Sequence, residues 1–136
     1  MNRFFKRLMG DNSYPEMSAD ARIGFLPLDS DAAWNDVIAR SEREPVVVFK
    51  HSLTCGISAG ARRRMLEMGS PGDPPVYELV VQHARPLSNA IATSLGVRHE
   101  SPQVLVLHAG RVVFHTSHGS ITPDRVRAAA QESRIA

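Results

Sequence analysis

Apolar and polar positions change period several times along the chain, and each change marks an element. In DAAWNDVIAR, Ala33, Trp34, Val37 and Ile38, then Ser41, recur at helical spacing, with Asp29 or Ser30 ready as N-cap. Glu44-Pro45 closes that helix, because a residue before proline avoids the helical region. Val46 to Phe49 is a β-branched apolar run suited to a fully buried strand, and Lys50 to Thr54 reads as a polar turn. From Cys55 the period is helical again, with Ile57, Ala61, Met65, Leu66 and Met68 near one face and Arg62, Arg63, Arg64 and Glu67 around the rest. MGSPGDPP, residues 68 to 75, is a loop, and Val76 to Gln82 a second strand.

Leu87, Ile91 and Leu95 then recur every fourth residue, begun by Pro86 or Ser88 and ended by Gly96, which can take the left-handed position after a helix. Gln103 to Leu107 and Arg111 to His115 flank His108-Ala109-Gly110 and make an antiparallel hairpin. Thr122 as N-cap and Pro123 at the first helical position open a last helix reaching roughly to Glu132. From Trp34 the order is helix, strand, helix, strand, helix, strand, strand, helix, with a short strand expected at Phe25 to Leu28. A βαβ unit followed by ββα requires an α/β fold, a mixed sheet with helices on both faces, which is the thioredoxin-like topology. Residues 1–24 lack a period and are expected to form a loosely ordered N-terminal arm before a domain spanning 25–136.

Composition narrows the function classes. With 136 residues, 43% of them hydrophobic, the chain can bury one sizeable core. Its net charge of +2 is mild and spread along the sequence, which argues against a nucleic-acid partner. The basic start MNRFFKRLMG has no continuous apolar run of signal-peptide length, and VVVF and VLVL fall far short of a membrane span. A cytoplasmic protein without a membrane partner is expected. The single cysteine excludes an internal disulfide and any zinc site needing two thiolates from this chain.

That cysteine carries the candidate chemistry. Cys55 follows a buried strand and begins a helix, where unpaired N–H groups and the helix dipole favour an anion, and a thiolate is the anion on offer. In C-G-I-S, Ser58 stands three residues on, where the second thiol of a CxxC motif would be, and its hydroxyl can donate to the Cys55 sulfur. A free cysteine is more often a small buried hydrophobe, but Ser52, Thr54, Gly56 and Ser58 give Cys55 the small polar neighbours of an accessible loop. Pro102 directly precedes a strand, where a cis Ser101-Pro102 bond would leave the Ser101 backbone free to pair with a thiol-linked substrate. The alternative is an ordinary trans proline at a strand start.

The strings FKHSLTCGISAGA and VVQHARPLSNAIATSLGVRHESPQVLVLHAGRVVFHTSHGSIT resemble the monothiol bacilliredoxins of the bacillithiol system, a thioredoxin-like family, over about residues 26 to 130. KHS-x-TC-x-IS, RPLSN and GVRHESPQ are the most specific pieces. Members often carry proline after the cysteine; here Gly56 makes the first turn more flexible. The resemblance implies a thiol-disulfide oxidoreductase that removes bacillithiol from protein mixed disulfides, with Cys55 and Ser58 catalytic. Bacillithiolated client proteins and a small thiol would be its partners, with bacillithiol as co-substrate and no tightly bound cofactor. An external low-molecular-weight thiol must regenerate the cysteine. The alternative is a thioredoxin-like redox-sensing or client-binding module that is itself thiolated without turning over.

Thr54, Ser101 and Pro102 are expected to bind substrate, with Lys50 and His51 raising the positive potential near Cys55, meeting a carboxylate of the bacillithiol malate group, or standing as solvated turn residues. Arg62 to Arg64 read mainly as a solvated face. His115 and His118 flank a strand end without a nearby carboxylate or second cysteine in sequence, so no metal site is expected, and Gly119 is the residue expected to let that loop pass close to Cys55.

Overall fold

The computed structural model describes residues 24–136. All but Gly24 of the expected arm, and so most of the proposed division at residue 24, lies outside the described residues. The elements are β1 (Leu26–Pro27), α1 (Asp31–Ser41), β2 (Val46–His51), α2 (Gly56–Met65), β3 (Val76–Val80), α3 (Arg85–Leu95), β4 (Gln103–His108), β5 (Arg111–Ser117) and α4 (Pro123–Ile135), with single 3-10 turns at Val81–His83 and His118–Ser120. They form one mixed sheet in the order β1-β3-β2-β4-β5. β2 pairs parallel with β3 and antiparallel with β4.

Local signals explain most boundaries. Ser30 caps α1 by accepting a hydrogen bond from the Ala33 N–H at 3.1 Å. Thr122 caps α4 in the same way through Arg125, with Pro123 at the first turn. Gly96 ends α3 with φ +68°. The β4–β5 hairpin turns on Ala109 and Gly110, both at positive φ, which matches the twist of the flanking strands. That turn is fastened to the end of α1: Ala109 N–H donates to the Ser41 carbonyl and Gly110 N–H to the Ser41 hydroxyl.

Several boundaries differ from the sequence reading, β5 reaching Ser117 and α2 ending at Met65 among them. β2 runs on to His51 instead of ending at Phe49, so the polar turn starts only at Ser52. A central strand with ladder partners on both sides, Leu79 and Gln103 beside Lys50, continues as long as its side chains find partners. β3 stops at Val80 and tightens into the 3-10 turn, and α4 extends to Ile135.

Two apolar layers sandwich the sheet. Val46, Val48, Leu79, Ile91 and Leu105 pack with α1 and α3 on one face. Val47, Phe49, Met65, Val104 and Val126 pack with α2 and α4 on the other. Phe49 is fully buried and meets Phe25 edge to face with ring centroids 5.8 Å apart. Phe49→Ala is expected to cost about 3–5 kcal/mol of unfolding free energy in chemical denaturation, the usual result of emptying an aromatic-sized space.

Candidate active site around Cys55

Cys55 is the N-cap residue of α2, with extended backbone (φ −111°, ψ 121°), and its thiol is free and partly exposed. Its carbonyl accepts the first helical hydrogen bond, from Ala59 N–H at 3.0 Å. No acidic residue lies in the first turn of α2 to oppose a thiolate there. The buried side of α2 is Ser58, Ala61 and Met65, which rotates Ile57 outward. Ile57, expected on the core face, is instead 57% exposed, as is Leu53 on the other side of Cys55 in sequence. An apolar rim therefore borders the thiol.

Ser58 is brought to the site but not in the expected way. Its fully buried hydroxyl lies 2.8 Å from His51 Nδ1 and accepts a hydrogen bond from Ser52 N–H at 2.9 Å. Neither contact is to the Cys55 sulfur. The hydroxyl ties the first turn of α2 to the end of β2. His51 stacks on Phe49 at 5.9 Å, and burial pushes its pKa below the ordinary value of 6.5.

Lys50 and His51 both depart from the solvated-turn reading. Consecutive strand residues point to opposite faces, so His51 faces α2 and Lys50 faces α3. Lys50 is 1% exposed and donates to the Ser88 carbonyl, 3.1 Å away. Burial lowers its pKa to about 8. Enclosed in this way, neither side chain is presented to a ligand carboxylate. Thr54 is exposed beside Cys55. Sequence reasoning missed Gln82, whose carboxamide accepts from Leu53 N–H and donates to the Ser52 hydroxyl, both at 3.0 Å, bracing the loop before the cysteine.

The Ser101-Pro102 peptide bond is cis. Lys50 pairs with Gln103 in the β2–β4 ladder, and one further step in the antiparallel register sets Pro102 opposite His51, itself bonded to the first turn of α2. The loop bearing Ser101 and Pro102 thus leads into β4 at the same end of the sheet at which β2 passes toward the cysteine helix. Ser101 Oγ is buried without a hydrogen-bond partner. Pro102 O accepts from His118 N–H at 3.1 Å, while the His118 ring lies 3.5 Å from the Glu100 carboxylate.

Two further expectations are corrected. A Cβ added at Gly119 would find open space, so no close approach requires glycine there; the residue of that loop with positive φ is His118, at +55°. Arg64 donates to the carbonyls of His118 and Ile121, and Arg62 forms a two-pronged pair with Glu78 at 2.6 and 3.2 Å. These arginines are braces between elements, and only Arg63 fits the solvated reading. A cavity of about 190 Å³ lies elsewhere, between Phe25, Asp29, Glu78 and His83, and Cys55 does not line it.

Comparison with known proteins agrees with the fold. The family model of the monothiol bacilliredoxin BrxC matches residues 26–126. A solved thioredoxin-fold protein put forward as an oxidoreductase is similar at 36% identity and a TM-score of 0.69, over 76% of this chain and 91% of that one. A point mutant of Halobacterium salinarum thioredoxin (18% identity, TM-score 0.64, 82% and 92% covered) and thioredoxin from Trypanosoma brucei brucei (11%, 0.67, 85% and 95%) share the fold.

The His51–Ser58 strut makes a pH prediction. Between pH 6.5 and the lower folded-state pKa of His51, the unfolded chain binds a proton that the folded chain refuses, so stability falls as pH falls through that window. Denaturation midpoints measured from pH 7.5 to 5 should show this loss, and His51→Asn should lessen it. Ser58→Ala, which strands the His51 ring and the Ser52 N–H, should cost about 1–3 kcal/mol at pH 7.

Proposed function

The chain belongs to the monothiol bacilliredoxin family BrxC, and we propose on that premise that it removes bacillithiol from protein mixed disulfides. The observation that carries the reading is the placing of the chain's single cysteine, free and partly exposed at the N-cap of α2. A helix N-terminus stabilises the thiolate, which is the species that attacks a disulfide.

Cys55 thiolate attacks the bacillithiol sulfur of the client mixed disulfide. The client's S–S bond breaks, its cysteine leaves as a thiolate that takes a proton from water, and a Cys55–bacillithiol disulfide forms. With serine at position 58, no second thiol of this chain can resolve that bond. A free bacillithiol thiolate therefore attacks the bacillithiol sulfur of this intermediate, restoring Cys55 and releasing bacillithiol disulfide. Ser58 serves by holding the first turn of α2 through His51 and Ser52. Thr54 and the backbone of Ser101 border the approach to the sulfur, and the exposed Leu53 and Ile57 offer apolar contact to a client protein.

Incubation with a bacillithiolated client should add the mass of one bacillithiol to the protein, on Cys55, and added bacillithiol should remove it and sustain many turnovers. Cys55→Ser should abolish both. Unchanged client release by Cys55→Ser would refute the assignment, and a single transfer that added bacillithiol cannot reverse would identify a thiolated module without turnover.

A further inference from the structure

The proposed reaction makes no use of Lys50. Its ammonium lies inside the domain on the face away from α2, 3.1 Å from the Ser88 carbonyl and 3.3 Å from His99 Nδ1. Ser88 Oγ closes the triangle, 3.2 Å from the same ring nitrogen. Among the described residues no carboxylate forms an ion pair with Lys50, so burying this charge opposes folding. A methionine would fill similar space without that cost. The amine's use must be sought in what it grips.

It grips the approach to the Ser101-Pro102 loop. His99 stands three residues before Pro102, and Gln103, the ladder neighbour of Lys50, holds the same segment by accepting from Glu100 N–H at 3.4 Å and donating to the Arg98 carbonyl at 2.9 Å. Two adjacent buried polar side chains thus fix Arg98, His99 and Glu100, the three residues leading into Ser101. Donation from Lys50 requires His99 Nδ1 to be unprotonated. Burial and the positive charges of Lys50 and Arg85 favour the neutral ring, outweighing the opposing pull of Glu100. With its pKa near 8, Lys50 keeps its charge at neutral pH, which strengthens both bonds.

We propose that Lys50, Ser88 and His99 form a buried positioning centre that sets the Glu100-Ser101-Pro102 loop against Cys55, governing how tightly the thiol-linked substrate is held without touching it. For its substrate this inference rests on the bacilliredoxin reading.

The test compares Lys50→Met, His99→Leu and the conservative His99→Asn, whose carboxamide oxygen can take the place of Nδ1. Steady-state kinetics with a bacillithiolated client are measured beside the rate of Cys55 alkylation by iodoacetamide and the folded fraction from circular dichroism. Lys50→Met and His99→Leu should raise KM about tenfold, the effect of losing about 1.4 kcal/mol of binding. Alkylation and kcat should stay within about twofold, and His99→Asn should recover most of the KM. Should Lys50→Met not fold, the two His99 variants decide alone. An unaltered KM in folded His99→Leu would overturn the proposal. So would a parallel fall of kcat, KM and alkylation that His99→Asn does not relieve, since that describes general support of the domain. If the wild-type protein does not release bacillithiol at all, the bacilliredoxin reading fails on its own account. The positioning centre is then judged by amide NMR, where Glu100 and Ser101 must shift in His99→Leu while Cys55 and Gly56 do not, and absence of that shift overturns it.

Discussion

The site depends on the burial of β2 as a central strand that ends in two polar residues facing opposite ways. All six of its residues are buried, and among the described strands it alone bonds to both the parallel and the antiparallel part of the sheet. Such a strand can end in lysine and histidine only if each finds a partner in the layer it faces, because an unpaired polar group in that interior costs more than the ladder bonds return. His51 finds Ser58 on α2, and Lys50 finds Ser88 and His99 beside α3. One strand end is thus tied to the helix that presents the thiol and to the segment that leads into Pro102. That one strand end can serve both segments follows from a local rule of strand geometry, the alternation of side chains between faces.

The reactive group itself is held by few contacts. No side chain caps the helix at Cys55, and the bonds that position it lie one layer back, on Ser58, Ser52 and Gln82. On the proposed cycle the thiol must attack, carry a bulky substituent and leave again, which needs room around the sulfur, whereas its backbone must stay in place. Placing the hydrogen bonds on neighbours satisfies both requirements. The arginines of α2 act in the same sense: Arg62 on Glu78 and Arg64 on the His118–Ile121 carbonyls anchor the helix to the sheet and to the loop after β5.

Much of this was legible in the sequence because it is local. Caps at Ser30 and Thr122, the glycine after α3 and the hairpin at Ala109-Gly110 are each written in a few adjacent residues, and their order leads to the thioredoxin-like sheet. What misled was polarity without partners. KHS resembles the start of a turn until Lys50 is seen to meet Ser88 and His99, which stand 38 and 49 residues away along the chain. No periodicity carries that information. The same holds for Ile57, whose outward placing follows from Ser58 claiming the inward side of the helix, and for Arg64, whose acceptors are backbone carbonyls that have no sequence signature. His118 adopts a left-handed backbone and donates its N–H to the Pro102 carbonyl, a long-range pairing that no local pattern announces.

Monothiol chemistry makes its own demand on this architecture. In a dithiol enzyme the mixed disulfide is resolved from within; on the proposed cycle the site must be reached from solution, first when the client disulfide meets Cys55 and again when a free thiol attacks the bacillithiol sulfur attached to it. The surroundings of Cys55 fit that demand. A Cβ added at Gly56 would meet no residue beyond its chain neighbours and its own helix backbone within 4 Å, so the first turn of α2 is open to solvent at that position. Leu53 and Ile57 stand out from it, and the polar pair Glu100 and His118 belongs to the loops bonded around Pro102. A protein client and a hydrophilic small thiol call for different surfaces, and apolar and polar groups are both available here. The buried Ser58 completes the logic: it occupies the resolving position with a hydroxyl already committed to His51 and Ser52, leaving the sulfur of Cys55 to partners that arrive from solution.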